Sequence, residues 1–263
     1  MNIVGTIESL WRYPVKSMAG QTLTESFIGF AGVYGDRCFA IKNSSARKGF
    51  PYLNANVQQQ MLRYHPQFRH PEKAAKPPNV VEATSIAPGV TPANAEPEDM
   101  IVDVVTPSGT VIAIDDPALL DMLAEGLPRE NNLTLVRSDR ALTDCRPVSL
   151  ISLQTIRQIG EELGSPIDKR RFRSNIYLDL TSDTGFAEDE LVGRKLRLGP
   201  KAVVAVLERD PRCKMISLDP ETGEHNPDVL RKVAQQHKNL AGVYCAVLVE
   251  GVLSASDRVE VIE

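Results

Sequence analysis

Short segments with an alternating or continuous apolar pattern recur along the whole chain, and they limit its fold more than any other feature of the sequence. Such segments are typical of β-strands, and glycine or proline separates many of them. So many short strands, interrupted by a few helices, predict a β-rich α+β protein with a barrel in its second half. We predict strands at residues 2–11, 22–28, 37–41, 100–105, 110–114, 132–136, 174–180, 195–198, 203–207, 243–250 and 258–262.

Three segments, residues 117–127, 153–163 and 227–237, have apolar side chains at helical spacing. Pro117 and Pro227 suit a first helical turn, because proline lacks an amide hydrogen that would be unpaired there anyway. Ser152 is a residue type that caps helix N-termini, and Asn226 is another. We therefore expect a few helices packed against the strands.

A proline-rich segment at residues 71–97 divides the first half of the chain. It holds six prolines among many alanines and asparagines, which makes it too proline-rich for a helix and too polar for a buried strand. We predict a long mobile insertion there. A soft boundary near residue 138 would separate an N-terminal β-rich region, residues 1–138, from a C-terminal domain, residues 139–263.

The charge and apolar patterning exclude several classes of protein. A formal net charge of −4 argues against general nucleic-acid binding, which usually requires a basic surplus. The apolar stretches fall far short of the roughly 20 residues that cross a bilayer, and no secretory signal begins the chain. We predict a cytoplasmic protein without a membrane span.

Cys213 is the most informative single residue, because it lies among Arg209, Arg212 and Lys214. Nearby cations favour the thiolate, which is the form that attacks electrophiles or binds metals. The four cysteines form no C-x-x-C pair and the four histidines are scattered, which argues against a zinc site or a disulfide framework. The residues leave open a metal ligand, a Cys-His nucleophile with His225 or His237, and a buried structural thiol.

Four further motifs combine charged and polar side chains in ways that suit a binding site. Each also has a plain structural interpretation, as a turn or a solvated strand edge, and the residues alone leave both open. The motifs are Lys16 with Ser17, Asp36 with Arg37, Asp144 with Cys145 and Arg146, and Arg173 with Asn175.

Taken in order, these motifs resemble the MOSC-domain proteins, and most closely the group that contains the mitochondrial amidoxime reducing component and its bacterial relatives. The resemblance extends over nearly the whole chain. It rests on LWRYPVKSM at 10–18, GDR at 35–37, Asp144 with Pro147, FRSNI at 172–176, PRC at 211–213 and DPETG at 219–223.

The resemblance implies a C-terminal MOSC β-barrel packed with the β-rich N-terminal region, and a pyranopterin molybdenum cofactor. It implies Cys213 as the thiolate ligand of molybdenum and Asp144 as an acidic catalytic residue near the metal. The cofactor-binding residues that it implies are Lys16, Ser17, Arg37, Cys145, Arg146, Arg173, Asn175 and Arg212.

The same resemblance implies an activity, the reduction of small N-hydroxylated compounds such as amidoximes, hydroxylamines and hydroxylated base analogues. Electrons would come from a separate ferredoxin-, flavodoxin- or cytochrome-type protein with its reductase. MOSC domains are also linked to cofactor sulfuration, so an alternative is a sulfur or molybdenum-cofactor carrier with a persulfide on Cys213. The chain departs from the group's pattern at Ser174, where proline is usual, and at Pro211, which cannot donate a backbone hydrogen bond.

Overall fold

The computed structural model describes residues 2–81 and 96–262, and strands account for most of its regular structure. The strands are β1 Asn2–Arg12, β2 Gln21–Leu23, β3 Glu25–Gly29, β4 Gly32–Val33, β5 Phe39–Asn43, β6 His65–Phe68, β7 Val102–Val105, β8 Val111–Ala113, β9 Leu133–Arg137, β10 Val148–Ser152, β11 Ile176–Leu180, β12 Lys195–Leu198, β13 Ala202–Pro211, β14 Leu240–Val249, β15 Gly251–Ser254 and β16 Arg258–Ile262.

The helices α1 (Pro117–Ala124), α2 (Leu153–Leu163) and α3 (Pro227–His237) lie within the described residues. Each begins at a side-chain cap, because a free amide at the first turn needs an acceptor. The Ser152 hydroxyl caps α2 and the Asn226 amide oxygen caps α3, as the sequence predicts. The predicted helices are therefore confirmed, although α1 ends before the predicted residue 127.

Seven strands form a closed barrel, in the order β11, β10, β14, β13, β12, β16 and β1, and β1 returns to pair with β11. Leu10 of β1 lies opposite Ile176 of β11, and Asn2 lies opposite Val261 of β16. The first strand of the chain thus closes a barrel whose other strands come from its second half. A separation of the chain near residue 138 stays a prediction, but β1 belongs to the barrel.

Small sheets accompany the barrel within the described residues. β3 lies between β4 and β15, β5 pairs with β9, and β7 lies between β6 and β8. The apolar core of the barrel includes Leu150, Leu178 and Val204, whereas a separate core beside α1 contains Met61 and Leu119.

The β-rich α+β architecture and the barrel are confirmed. Most of the predicted mobile insertion, residues 82–95, lies outside the described residues. Its described beginning is packed, because Ala74 is fully buried and its carbonyl accepts a hydrogen bond from the Arg12 guanidinium. In the part of the chain that the structure describes, no helix combines the length and apolar character needed to cross a membrane.

Candidate cofactor site

Three barrel strands bring the predicted site residues together. Tyr13 follows β1, and Arg173 precedes β11. The antiparallel pairing of these two strands places the end of β1 beside the beginning of β11. Arg212 follows β13, and its Nη1 donates to the Phe172 carbonyl at 2.9 Å. The same edge of the barrel therefore carries residues that lie far apart in the sequence.

Two arginines lie against the ring of Tyr13. The guanidinium carbon is 4.2 Å from the ring centroid for Arg173 and 4.8 Å for Arg37. Both residues have left-handed backbones, with φ of 52° and 46°, which is uncommon outside glycine and is frequent at functional sites. Arg37 Nη2 also donates to the Arg173 carbonyl at 3.0 Å, so the two arginines hold one another in place.

A buried carboxylate offsets part of this positive charge. Asp36 is 2% exposed, pairs with the Arg37 guanidinium and accepts the Tyr13 amide at 2.7 Å. Arg173 lacks an equivalent partner, because its Nη2 is buried without a hydrogen-bond partner among the described residues. Burial lowers the pKa of Arg173 to about 10, and the neighbouring Arg37 charge acts in the same direction. A buried, positively charged guanidinium such as that of Arg173 favours the binding of an anion.

Lys16 supplies another cation to the same region. Its amide donates to the Phe39 carbonyl at 2.8 Å, and the next residue, Ser17, is buried with φ of 68°. Burial lowers the pKa of Lys16, while the Asp144 carboxylate opposes that shift. The Arg37 and Arg173 charges also reach the ammonium group and lower its pKa. We call Lys16, Arg37, Arg173 and Arg212 the basic cluster.

Arg212 is buried in the wall that supports the cluster. Its Nε donates to the Ala241 carbonyl at 2.6 Å, and its Nη1 lies 2.9 Å from Asp210 Oδ2. The Nη2 atom is buried and has no hydrogen-bond partner within residues 2–81 and 96–262. A Cβ on Gly242 would lie 3.0 Å from that Nη2 and 2.6 Å from the Leu150 carbonyl. The glycine therefore allows the β14 backbone to lie close to this guanidinium, where a larger residue would clash.

Cys213 is exposed and comes directly after Arg212. Its closest side-chain donor is Asn56, whose Nδ2 lies 3.8 Å from Sγ. The flanking cations have other partners, because Lys214 donates to the Asn56 carbonyl and Arg209 pairs with Asp189 at 3.5 Å. The exposure argues against a buried structural thiol, whereas the effect of these cations on the thiol stays a prediction.

Asp144, Cys145 and Arg146 lie in an exposed loop next to the cluster. Arg146 Nε donates to Glu208 Oε1 at 2.7 Å, and the Cys145 thiol lies 3.7 Å from the same oxygen. Burial raises the pKa of Cys145, and the Glu208 charge raises it further. This thiol is therefore a poor nucleophile at neutral pH.

The Asn175 side chain is already engaged inside the protein. Its Oδ1 accepts from the Ser149 amide and hydroxyl at 3.3 Å, and its Nδ2 donates to the Trp11 carbonyl at 3.3 Å. These contacts join β1, β10 and β11 where the barrel closes. The structure gives Asn175 a clear structural task, and its predicted contact with a cofactor stays a prediction.

The two histidines that could act as a base for Cys213 each contact other residues. His237 Nε2 lies 2.8 Å from Glu162 Oε2, and its ring stacks on Phe186 with centroids 3.9 Å apart. His225 is exposed, and its backbone bridges to Leu218. Among the residues that the structure describes, no three or more His, Cys, Asp or Glu side chains form a metal-holding group. A metal at Cys213 would therefore rely on a cofactor for its other ligands.

Sequence reasoning assigned no role to two residues of the site, namely Tyr13 and Asp210. Tyr13 lies inside the motif at residues 10–18, so the motif marks its position without indicating its role. Asp210 is 2% exposed, although the charged run around it suggests a solvated surface. Its burial follows from the three-dimensional pairing with Arg212, which strand periodicity cannot reveal.

The residues fit an anionic, phosphate-bearing cofactor with a soft metal. Arg173 and Arg212 each have one buried guanidinium nitrogen without a hydrogen-bond partner within the described ranges, and Arg171 has two. Arginine suits phosphate because its planar donors can bind two oxygens at once. An exposed thiol at Cys213 is the ligand type that soft metals prefer.

Fold and site together define a β-barrel protein with a cluster of basic side chains at one edge of the barrel. Two family models match it. The MOSC domain model matches residues 137–260, and the MOSC N-terminal beta barrel domain model matches residues 4–86. The chain belongs to the MOSC-domain family.

Known proteins resemble parts of the chain to different degrees. A molybdenum cofactor sulfurase from Drosophila grimshawi is 33% identical over 116 residues, which cover 43% of this chain but 14% of that protein. The chain therefore corresponds to a small part of that relative.

Two solved protein structures resemble the chain over different shares of its length. The YUAD protein from Bacillus subtilis aligns over 99% of this chain and 97% of its own, with 12% identity and a TM-score of 0.48. YiiM from Geobacillus stearothermophilus aligns over 45% of this chain and 55% of its own, with 23% identity and a TM-score of 0.36.

Proposed function

We propose that this protein is a molybdenum-cofactor-dependent reductase of N-hydroxylated compounds, such as amidoximes, hydroxylamines and N-hydroxylated base analogues. Its electrons would come from a separate redox protein of the ferredoxin, flavodoxin or cytochrome type. The observation that carries the proposal is the exposed Cys213 thiol directly after Arg212, whose buried Nη2 lacks a partner in the described parts of the chain. A candidate metal ligand and a hydrogen-bond donor for an anion are thus adjacent in the chain.

The basic cluster would hold the anionic part of the cofactor. Arg173 and Arg212 each offer an unpartnered donor, while Lys16 and Arg37 add positive charge nearby. Cys213 would bind the metal as a thiolate, which also adjusts the electronic properties of the metal. The cofactor, when bound, supplies the two-electron chemistry that accepts oxygen from the substrate.

Asp144 is the residue best suited to proton handling. Removal of the hydroxyl oxygen as water consumes two electrons and two protons, written as R–NHOH + 2e⁻ + 2H⁺ → R–NH₂ + H₂O. The Asp144 side chain is 62% exposed, so it can exchange protons with solvent, and Lys16 fixes one end of its carboxylate. A carboxyl group in this position can hold a proton for the departing oxygen.

The test is to produce the protein in a host that makes the cofactor, and to measure bound molybdenum and benzamidoxime reduction with a chemical reductant. We expect both in the wild type, and we expect Cys213→Ala to lose both while it folds normally, because the thiol is exposed. The matched control is Cys245→Ala, which removes a buried barrel thiol and should lower stability but keep molybdenum. A wild-type protein without molybdenum or turnover would contradict the proposal.

The similarity to the molybdenum cofactor sulfurase favours a second candidate, a carrier of sulfur or of the cofactor. In that case Cys213 would hold a persulfide and no substrate would turn over. Mass spectrometry separates the two functions. A labile gain of one sulfur atom on Cys213, without benzamidoxime reduction, supports the carrier, whereas turnover that is lost in Cys213→Ala supports the reductase.

A further inference from the structure

The three guanidinium nitrogens of Arg212 differ in their hydrogen-bond partners. Nε donates to Ala241, and Nη1 donates to the Phe172 carbonyl and faces Asp210. These contacts fix the plane of the guanidinium, because three separate acceptors hold two of its three nitrogens. The third nitrogen, Nη2, is buried beside Gly242 and has no partner in residues 2–81 and 96–262. The arginine is therefore held rigidly while one donor remains available.

Asp210 is the charged member of this set of acceptors. It lies in β13 with 2% of its surface exposed, and its Oδ2 is 2.9 Å from Arg212 Nη1. Its carboxylate also has a hydrogen bond with Tyr244. Val243 and Cys245 flank Tyr244 in β14, and their side chains belong to the barrel core. Successive side chains of a strand point to opposite faces, so the Tyr244 phenol lies on the outside of the barrel. The pair thus supports Arg212 from the outside of the barrel.

We infer that Asp210 is a positioning residue that orients Arg212 so that its unpartnered Nη2 faces the anionic part of the cofactor. The inference rests on the cofactor binding in the proposed function, and it does not depend on turnover. A buried ion pair contributes little net stability, because desolvation offsets most of the attraction. Its value here is geometric, since a guanidinium held in one orientation loses less freedom when an anion binds.

The groups around Asp210 should make the rate of cofactor dissociation depend on pH. Burial raises its pKa, while the charge of Arg212, the hydrogen bond from Tyr244 and the charge of Arg37 oppose the shift. The neighbouring Asp144 charge raises it further. Protonation of this carboxyl at acid pH would remove the charge that holds Arg212. The cofactor should therefore dissociate faster as the pH falls, and Asp210→Asn should lack that component of the pH profile.

The experiment compares cofactor release from holoprotein variants, measured as molybdenum that remains on the chain after gel filtration at increasing times. Replacing a residue that orients a ligand-binding side chain typically changes affinity by about tenfold or more, so Asp210→Asn should release molybdenum on the order of tenfold faster. In a double-mutant cycle, Asp210→Asn should add little in an Arg212→Ala background, because both changes remove the same contact. Tyr244→Phe, which keeps the charge of Asp210, should give a smaller effect.

Asp189→Asn is the matched control, because it removes the partner of Arg209, an arginine on the same strand, and should leave release unchanged. Thermal unfolding of each variant separates a loss of structure from a loss of positioning. Equal release rates for the wild type and Asp210→Asn, or full additivity with Arg212→Ala, would overturn the inference. A wild type that holds no molybdenum would instead overturn the proposed function.

Discussion

Lys16 Nζ lies 2.8 Å from Asp144 Oδ1, and this ion pair joins a buried ammonium to an exposed carboxylate. The lysine side chain is 8% exposed and the aspartate side chain 62%. The two residues lie far apart in the sequence, one in the turn after β1 and one in the loop before β10. The resemblance assigns one to cofactor binding and the other to catalysis, yet here they contact each other directly. An anion that binds Lys16 must compete with Asp144.

Replacement of Lys16 tests the cost of burying this ammonium. Burial lowers its pKa below the ordinary value of 10.5, so between the folded pKa and 10.5 the unfolded chain binds more protons than the folded chain. The free energy of unfolding should therefore rise with pH in that window, and Lys16→Met should lack this rise. Urea denaturation across the window measures it. The exposed Lys195→Met serves as the control, and an unchanged slope in Lys16→Met would contradict the prediction.

Arg173→Gln should separate cofactor binding from stability. Its Nη2 is buried without a partner in the described residues, so its removal should change the free energy of unfolding of the cofactor-free protein by no more than about 1 kcal/mol. Molybdenum retention should fall on the order of tenfold, because an anion loses a charge-assisted donor. The control is Arg170→Gln, which removes a nearby arginine whose Nη2 lies 2.6 Å from Asp168 Oδ2. Equal retention in both variants would refute the assignment.

Asn175→Ala should have the opposite outcome. The loss of its amide leaves the Ser149 amide and the Trp11 carbonyl without this partner, which costs about 1–3 kcal/mol when the groups are buried. We expect a lower midpoint of thermal unfolding but unchanged molybdenum per folded chain. A large loss of molybdenum at temperatures where the variant is folded would show that Asn175 contacts the cofactor itself.

Gly5→Ala tests the closure of the barrel. A Cβ at this position would lie 2.3 Å from the Asp179 carbonyl oxygen and 2.8 Å from the Leu180 Cα, so β1 and β11 would have to separate. Overpacking against backbone should cost about 2 kcal/mol. Chemical denaturation measures this loss. The exposed Ile3→Thr on the same strand should change stability little, and a Gly5→Ala variant as stable as the wild type would contradict the close approach of the two strands.

Local pattern accounts for much of the fold. Ser152 and Asn226 mark the beginnings of two helices, because capping depends only on neighbouring residues. The return of β1 to β11 could not be predicted, since it pairs residues such as Leu10 and Ile176 that share no local signal. Strand periodicity tells which side chains face a core but does not tell which strand is the neighbour.

The residues of the candidate site were likewise only partly predictable from the sequence. Arg37, Arg173 and Arg212 stand out in the sequence, because arginines in an acidic chain are conspicuous and the motifs single them out. Asp210 does not, because its burial depends on a partner two residues away and on a tyrosine from another strand. The engagement of Asn175 with Ser149 likewise requires that two distant strands be adjacent.

The pairing of β1 with both β11 and β16 also determines when this protein can fold during its synthesis. The ribosome synthesises residues 2–12 before every other strand of the barrel, and it synthesises their partner strand at residues 258–262 after the others. Contacts of such high sequence separation form slowly, since a long loop of chain must close before they stabilise anything. The barrel can therefore close only after β16 has been translated, and a cofactor that requires the closed barrel would be inserted after that point.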